Sequence, residues 1–565
     1  MKIKNIIMAA AALLVAAQSF GQSRGDIAGR LMGQSYFDIT DMLNLSQSNY
    51  TLGTARSAAM GGAFTSLGAD LSSLNINPAG LGMYQSNDFG VTASIQNNKT
   101  SIMAIGAPVY SGKCSQTPFK LNNFGFAFNV WEGSGALTNI NMGITYNSKA
   151  SFNSTASYEV RNQPFSIADV FMEQLIDMSD LDGISQNMMN SSSEPFNNSD
   201  IMMSEWGSVL AYQTEVVYGE SDGSYSLHRS LSQDAKTNGL LKTQTRGSSG
   251  DFDISVGGNI KSILYFGASI GISQIDYSES NLYEEAYTNN TVEYPIQFMM
   301  YDQYVKTKGA GINGKFGLTV RPVGGLRIGV AFHTPTYVSL TKQYGAAMRA
   351  RFSEMDGDND VTKESATNSY SYTYTTPARL MTGLSYTFGN WAVISADYEC
   401  AWYNSMRLKE VSDYVATSYK AQIKEHYKAA HNFRVGLEIK PTSFLALRGG
   451  FGYQGNALRD GVNSSNKAIS GELAMFNRYD NPVVYKTLSG GAGIGLRFKS
   501  LYLDFAYTFN RLFYSPFMWY YFQRDNELPI SQVGYTGANG TDEVLLSYKQ
   551  SVDRHGFMVT VGFRF

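Results

Sequence analysis

Cysteine, histidine and charged residues are all scarce in this chain of 565 residues. It has only two cysteines, Cys114 and Cys400, far apart in the sequence, so a disulfide framework is excluded and we do not expect the two to pair. The five histidines show no spacing typical of metal ligands, and no serine lies in a G-x-S-x-G elbow. Charged residues make up 16% of the chain with a net charge of −3, which gives no argument for binding nucleic acid. We therefore expect no enzyme, metal or other cofactor.

Long apolar runs are also missing after the N-terminus. Lys2 and Lys4 precede an apolar stretch, 6–17, and Ser19-Phe20-Gly21 supplies small residues for a signal peptidase. This pattern predicts a cleaved secretory signal peptide over residues 1–21. Because no later run reaches the roughly 18 apolar residues of a membrane-spanning helix, an exported chain that must still cross a membrane has one option, a closed β-barrel.

The last residues have the pattern of a barrel wall strand. One face of the strand carries aromatic and aliphatic side chains and the other carries mostly small or polar ones. The first set comprises Phe557, Val559, Val561, Phe563 and Phe565, and the second Met558, Thr560, Gly562 and Arg564. The chain also holds 37 Tyr and 32 Phe, the residues of interfacial girdles.

Alternating segments of this kind recur fourteen times between residue 88 and the end of the chain. Short connections, such as 321–325, 388–391, 440–443 and 498–500, alternate with long polar ones at about 280–305, 346–367, 404–430, 456–482 and 520–543. This is the outer-membrane pattern, with the short turns on the periplasmic side. The sequence therefore predicts an all-β transmembrane β-barrel of 14 antiparallel strands over 88–565. We expect a large extracellular loop at 154–249, with helical patches at 166–178 and 201–217.

Residues 22–87 do not alternate and are rich in small side chains. A barrel of this size needs water or a plug in its lumen, and we assign this helical, turn-rich segment as a hatch that plugs it. The segment contains A-M-G-G-A-F-x-x-L-G-x-D, which begins at Ala59, and then Asn77-Pro78-Ala79-Gly80-Leu81 directly before the first strand. These motifs resemble the hatch of the FadL family, outer-membrane transporters of long-chain fatty acids and other hydrophobic compounds.

The resemblance implies passive uptake in the outer membrane. A hydrophobic small molecule would be caught among extracellular loops, pass the hatch and leave sideways into the lipid through a gap in the wall. The expected partners are that ligand, outer-membrane lipid and, through the terminal Phe565, the barrel-assembly machinery. We expect a monomer without a cofactor.

Candidate site residues follow from strand parity and from the hatch motifs. Four inward-facing cations are candidates for binding a ligand carboxylate, with the first two preferred: Arg327, Arg448, Arg379 and Lys315. The alternative is that they pair with inward acids and with the hatch. The residues assigned to hatch packing and gating are Asn77, Pro78, Ala79, Gly80, Arg56, Gly61 and Gly62, with Arg56 expected to tether hatch to wall. Tyr372 and Tyr374 are predicted to be girdle residues.

Two other functions remain open from the sequence. A FadL-like barrel could serve as a docking or shuttle platform for secreted proteins, which the long segment at 154–249 favours. A general diffusion porin is the third possibility, and the hatch argues against it.

Overall fold

The structure, a computed structural model, describes residues 39–565 with internal gaps. The gaps are 106–112, 164–165, 181–185, 199–200, 202–204, 355–356, 410–412, 460–482, 515–516 and 520–545, with the single positions 192, 228 and 233. The predicted signal peptide, the start of the predicted hatch and most of two predicted long loops, 456–482 and 520–543, lie outside the described residues.

Eight helices are described. They are α1 (Ile39–Leu45), α2 (Ala55–Ala59), α3 (Ser73–Ile76), α4 (Ile167–Asp180), α5 (Gln186–Met189), α6 (Glu194–Asn197), α7 (Trp206–Gln213) and α8 (Asp413–His426). Short 3-10 turns cover Tyr50–Leu52, Pro78–Met83 and Tyr403–Ser405. In the described part of the chain, no helix is both long and apolar enough to cross a membrane. The helical patches expected at 166–178 and 201–217 correspond to α4 and α7.

Strands make up most of the remaining chain. They are β1 (Asp88–Ile105), β2 (Lys113–Gln116), β3 (Phe119–Glu132), β4 (Leu137–Ser151), β5 (Ser154–Gln163), β6 (Tyr218–Gly219), β7 (Tyr225–Ser226), β8 (Lys236–Ile260), β9 (Leu264–Thr288), β10 (Ile296–Val320), β11 (Leu326–His333), β12 (Tyr337–Glu354), β13 (Gly357–Glu364), β14 (Asn368–Thr375), β15 (Arg379–Phe388), β16 (Ala392–Trp402), β17 (Arg407–Lys409), β18 (Ala429–Ile439), β19 (Leu445–Gln454), β20 (Val484–Phe498), β21 (Leu501–Tyr514), β22 (Phe517–Trp519) and β23 (Leu546–Arg564).

These strands form a closed antiparallel barrel with fourteen wall positions. Several positions consist of consecutive segments that share neighbours: β2 with β3, β4 with β5, β11 with β12, β13 with β14 and β15, β16 with β17, and β21 with β22. Closure comes from β23 pairing with β1 along its length, from Asp88 opposite Arg564 through Ile105 opposite Ser547. The predicted strand number is confirmed.

The outer face of the wall is apolar, as the alternation predicts. On β23, Phe557, Phe563 and Phe565 are exposed, whereas Met558 and Thr560 between them are buried. Similar exposed aromatic and aliphatic side chains occur on the neighbouring strands around the barrel. A continuous apolar surface of this kind is stable against lipid and would be unstable against water.

The strands continue further than the alternation suggested. Strands β8, β9 and β10 each have 25 residues, although about 9–11 residues suffice to span a bilayer. The predicted loops at 280–305 and 346–367 are therefore mostly strand, and the excursion assigned to 154–249 runs only from the end of β5 to the start of β8. Polar alternation beyond the membrane is a weak strand signal, which is why these extensions were assigned to loops.

Proline breaks two adjacent wall strands and reverses their inward parity. Before Pro335 the buried side chains are Ala331 and His333, and after it they are Thr336 and Val338. Pro377 does the same between β14 and β15, because proline cannot donate in the ladder. As a result Tyr372 and Tyr374 are 2% and 0% exposed inside the barrel, and the prediction that they are girdle residues was wrong.

The interior has two parts. At the short-turn end the hatch fills the barrel. Towards the long-loop end lies a large apolar cluster, in which α4, α7 and α1 pack among inward side chains of the strand extensions. Its largest fully buried members include Trp206, Tyr301, Tyr374 and Phe171. Helices α4 and α7 thus fold into the barrel mouth.

Candidate functional site

The hatch, which is the described chain before β1 (residues 39–87), consists of short helices joined by tight turns. Thr54 precedes α2, and its side chain accepts a hydrogen bond from the Ser57 amide at 3.1 Å, as an N-cap does. Gly61 and Gly62 follow α2 with φ of 65° and 76°, a region of backbone conformation that favours glycine. These local signals explain why the segment turns back on itself instead of joining the wall.

Asn77 fixes the last hatch turn against the wall. Its Oδ1 accepts a hydrogen bond from the Ala79 amide at 3.0 Å, capping the 3-10 turn in which Pro78 is the first residue. Its Nδ2 donates to the Thr65 carbonyl at 2.6 Å and to Thr319 Oγ1 on β10 at 3.3 Å. One side chain thereby joins two hatch turns and a wall strand.

A set of inward glycines lets the hatch backbone approach the wall closely. A Cβ at Gly317 would stand 1.9 Å from Asn77 Oδ1, and a Cβ at Gly267 would stand 2.3 Å from the Pro78 carbonyl oxygen. We call this set the glycine ring; it includes Gly267, Gly317, Gly329, Gly383, Gly436, Gly450, Gly491 and Gly493. Gly80 plays the same part inside the hatch, where a Cβ would stand 2.7 Å from Ser73 Oγ. Hatch and wall therefore fit together only without these side chains.

Arg56 ties the hatch to a chain of ion pairs at the short-turn end. Its Nε lies 2.9 Å from Glu438, which also pairs with Arg448 Nε at 2.7 Å. Arg448 continues to Asp504 at 2.6 Å, and Arg497 also pairs with Asp504 at 2.9 Å. Except for Arg56 and Arg497, these side chains are almost fully buried. Each buried carboxylate therefore has at least two cationic partners, which offsets the desolvation of these charges.

Two further networks involve other acids of the lumen. Lys315 Nζ lies 2.9 Å from Asp251 and 2.6 Å from Asp253, and Asp253 also accepts a hydrogen bond from hatch Asn75 at 2.7 Å. On the opposite wall, Glu399 accepts from Arg379 and Arg434, each at 2.7 Å. Hatch Thr65 donates to Asp397 through its amide at 2.8 Å. His333 contacts the Ile76 carbonyl at 2.9 Å.

The four predicted ligand cations differ in their pairing. Arg448, Arg379 and Lys315 all pair with wall carboxylates, which favours the structural alternative for them. Arg327 differs: it is partly buried, and its Nε has no hydrogen-bond partner among the described residues. Four acids of these networks lie at positions that strand parity predicts to face inward: Asp397, Glu399, Glu438 and Asp504. Asp251 and Asp253 were not predicted, and the pairing of all six depends on strand register, which parity does not supply.

A cavity lies directly above the hatch. It encloses about 590 Å³ of empty space, including its open mouth. The floor is polar, with Asn75, Lys315 and His333, whereas Leu45, Ile275, Val338 and Pro377 supply apolar lining. The proline breaks of β11–β12 and β14–β15 border this cavity. A mixed lining of this kind suits a molecule with an apolar body.

The wall has a notch between β3 and β4, which we define by residues 117–122 on one side and 148–153 on the other. Pairing between these strands ends at Asn123 opposite Asn147. Beyond that point, among the residues that the structure describes, β3 pairs with β1 and the β4–β5 segment pairs with β8, but the two do not pair with each other. The segment β5 bends inward instead, where the Asn153 carbonyl accepts from Asn98 Nδ2 at 2.8 Å.

Within the described ranges, no group of three or more histidine, cysteine, aspartate or glutamate side chains is placed to hold a metal ion. Cys114 and Cys400 are both free thiols.

Comparison with known proteins gives structural neighbours only. No protein-family model matches the chain, and neither does any curated protein. Among solved structures, the Pseudomonas putida toluene transporter TodX is similar with 14% identity and a TM-score of 0.44, covering 92% of this chain and 99% of its own. A Pseudomonas aeruginosa FadL homologue has 12% identity and a TM-score of 0.46, with 92% and 99% covered.

The Ralstonia pickettii toluene transporter TbuX is similar with 15% identity and a TM-score of 0.40, covering 93% of this chain and 100% of its own. The resemblance of this chain to the FadL family rests on two features of the chain: the Asn77-Pro78-Ala79 hatch motif and the barrel with fourteen wall positions.

Proposed function

We propose that the protein is an outer-membrane channel for the passive uptake of hydrophobic small molecules. The observation that supports this most is the plugged lumen, in which the hatch meets the glycine ring backbone to backbone. A water-filled passage for sugars or ions is not compatible with such packing. The apolar cluster towards the long-loop end supplies hydrophobic side chains that an apolar solute could contact.

The notch supplies a route that such a solute could take. A hydrophobic molecule gains nothing by crossing to water at the periplasmic end, because its transfer free energy favours the hydrocarbon of the bilayer. The route we propose runs from the apolar cluster to the cavity above the hatch and then sideways through the notch. Long-chain fatty acids are the finer substrate class that the FadL resemblance suggests. Monoaromatic hydrocarbons are the class suggested by the names of the toluene transporters.

Liposomes containing the purified protein test the proposal directly. We expect labelled toluene and dodecane to enter at rates well above those of protein-free liposomes, while small sugars cause no swelling. Rapid sugar influx into liposomes with the intact protein would instead identify an open diffusion porin.

Arg327 and Arg448 should behave differently when replaced. We expect Arg448→Ala to lower resistance to thermal unfolding, since Glu438 and Asp504 lose a buried partner, at a cost of about 3 kcal/mol or more. Arg327→Ala should leave stability within about 0.5 kcal/mol, because no ion pair is lost. If Arg327 binds a ligand carboxylate, its variant should slow fatty-acid uptake without slowing toluene uptake. Normal fatty-acid uptake by both variants would exclude these two residues as ligand-binding groups.

The docking platform remains the second candidate function, favoured by the long strand extensions. At roughly 3.3 Å per residue, a strand of 25 residues such as β9 extends far past a bilayer. Pull-down from intact cells tests this function: a stoichiometric secreted partner would support it, and recovery of the barrel alone would argue against it.

A further inference from the structure

Two inward cations next to the notch differ from the paired cations of the lumen. Lys120 lies on β3 opposite Ser94, and Arg554 lies on β23 opposite Asn98. Ser94 and Asn98 are both on β1 with buried side chains, so the two cations flank the inner face of one strand.

Neither cation has an acidic partner in the described part of the chain. Lys120 Nζ and Arg554 Nε are buried without a hydrogen bond, and Arg554 is only 6% exposed. Lys315, Arg379 and Arg448 in the same lumen each pair with at least one carboxylate. Burying an unpaired charge is costly, so the arrangement is unfavourable for folding.

Polar amides complete the surroundings of the two cations. Asn122 is 1% exposed; its Oδ1 accepts from Ser94 Oγ at 2.6 Å, and its Nδ2 donor has no partner among the described residues. Gln96 is also buried, with an unpaired amide oxygen. Rotation of that amide would present its NH₂ group to the same space. The cluster thus offers two positive charges and further amide donors, a donor set suited to an anionic head group.

The position of the cluster indicates what kind of anion it would bind. Lys120 and Asn122 form one edge of the notch, beside the exposed apolar side chains of Phe119 and Leu121. On the other edge, β5 is held near β1 by the bond from Asn98 to Asn153. A charged head could therefore stay inside the lumen while an attached hydrocarbon tail extends through the notch towards lipid.

We propose that Lys120, Arg554 and Asn122 bind the carboxylate or phosphate head group of a single-chain amphiphile at the notch. This site rests on the proposed function and adds that one class of transported substrate carries an acidic head group. The two cations are kept unpaired at the expense of stability because the ligand supplies the missing negative charge. Such trade-offs between stability and binding are common at functional sites.

The test compares three ligands of equal chain length, dodecanoate, dodecyl phosphate and dodecanol, binding to the full-length protein in uncharged detergent. We expect the wild type to bind one of the anions at least about tenfold more tightly than dodecanol, as for charge-assisted hydrogen bonds. In the K120Q/R554Q double variant this preference should disappear while the affinity for dodecanol stays unchanged. R511Q is the matched control, because Arg511 lies on the neighbouring strand, is exposed and pairs with Asp553.

A second measurement separates ligand binding from a structural role. The double variant should resist unfolding as well as the wild type or better, since it loses two buried unpaired charges. Clear destabilisation would show that the cations support the fold and would overturn the proposal. Equal binding of dodecanol and both anions by the wild type would also overturn it, as would an anion preference that survives in the double variant.

The same ligands distinguish the two sources of the head group. Together with the liposome experiment, they also separate the anion site from the proposed uptake of neutral hydrocarbons. Preference for dodecanoate indicates fatty acids, and preference for dodecyl phosphate indicates phosphate-bearing lipids. If anions bind but toluene and dodecane never enter liposomes, the site stands and the proposed uptake of neutral hydrocarbons fails. If those hydrocarbons enter but anions are not preferred, the uptake stands and the anion site fails.

Discussion

Replacing Gly450 by valine should open the barrel to small sugars. A Cβ at this position would stand 2.2 Å from the Met60 carbonyl carbon and 2.3 Å from the Gly61 amide nitrogen. These are backbone atoms of the hatch, so no side-chain rotation relieves the overlap, and Gly61 is already held at φ 65°. The hatch must therefore move away from β19. We expect rapid swelling of liposomes in small sugars, where the wild type gives none.

Gly449 provides the matched control for this experiment. It is the preceding residue on the same strand, its Cβ would point to the outer face, and a Cβ there would meet nothing within 4 Å. Gly449→Val should leave both the sugar barrier and the folded yield unchanged. Swelling by both variants would indicate general damage to β19, and swelling by neither would show that the hatch can shift without opening a path. The pair Gly491→Val and Gly490→Val repeats the comparison on β20, where Gly491 faces the Ala58 carbonyl oxygen at 2.4 Å and Gly490 meets nothing.

The wall of the barrel could be predicted because lipid imposes a strict rule on its strands. Phe557, Val559 and Val561 must face outward, so their alternation reveals both the strand and its inward face. Beyond the membrane the outer face meets water and the rule no longer applies, and the long extensions of β9 and β10 were therefore assigned to loops.

The alternation of inward and outward residues also fails to predict side-chain direction where a strand is interrupted. Tyr374 and Arg379 lie on one wall strand and both face inward, although one position is even and the other odd. Pro377 between them resets the alternation. A proline inside an apparent strand is thus a signal for a break, and it would have corrected the assignment of Tyr372 and Tyr374.

The residue types of the candidate site could be predicted from the sequence, but the ion pairs between its cations and acids could not. Asn77 stands in a hatch motif and Arg56 lies three residues before the other motif, and both side chains contact the wall. Which cation pairs with which acid depends on register and on how the hatch turns. Arg448 and Arg327 therefore look equivalent in the sequence, while among the described residues Arg448 has ion-pair partners and Arg327 has none. Lys120 and Arg554 were missed because the sequence does not show that acids are absent around them.

Removing the Glu438 carboxylate should release the hatch electrostatically. Glu438 is 1% exposed and is the acid that Arg56 of the hatch shares with Arg448 of the wall. In Glu438→Ala the two guanidinium groups would be left close together with one fewer carboxylate, and breaking a buried pair in this way costs about 3–5 kcal/mol. We expect a marked fall in thermal stability and an increase in sugar permeability, because the hatch loses its tie to β18.

Asp553→Ala is the control for the loss of an ion pair as such. Asp553 pairs with Arg511 at 2.6 Å, but Arg511 is largely exposed, so the expected loss is below about 1 kcal/mol and no swelling should follow. The double variant Arg56→Met/Glu438→Gln removes charge of both signs from the hatch contact while Arg448 keeps Asp504. It should therefore recover part of the stability lost in Glu438→Ala. If Glu438→Ala instead matches the wild type in both measurements, the other hatch–wall contacts hold the hatch and the ion-pair chain contributes little to keeping it closed.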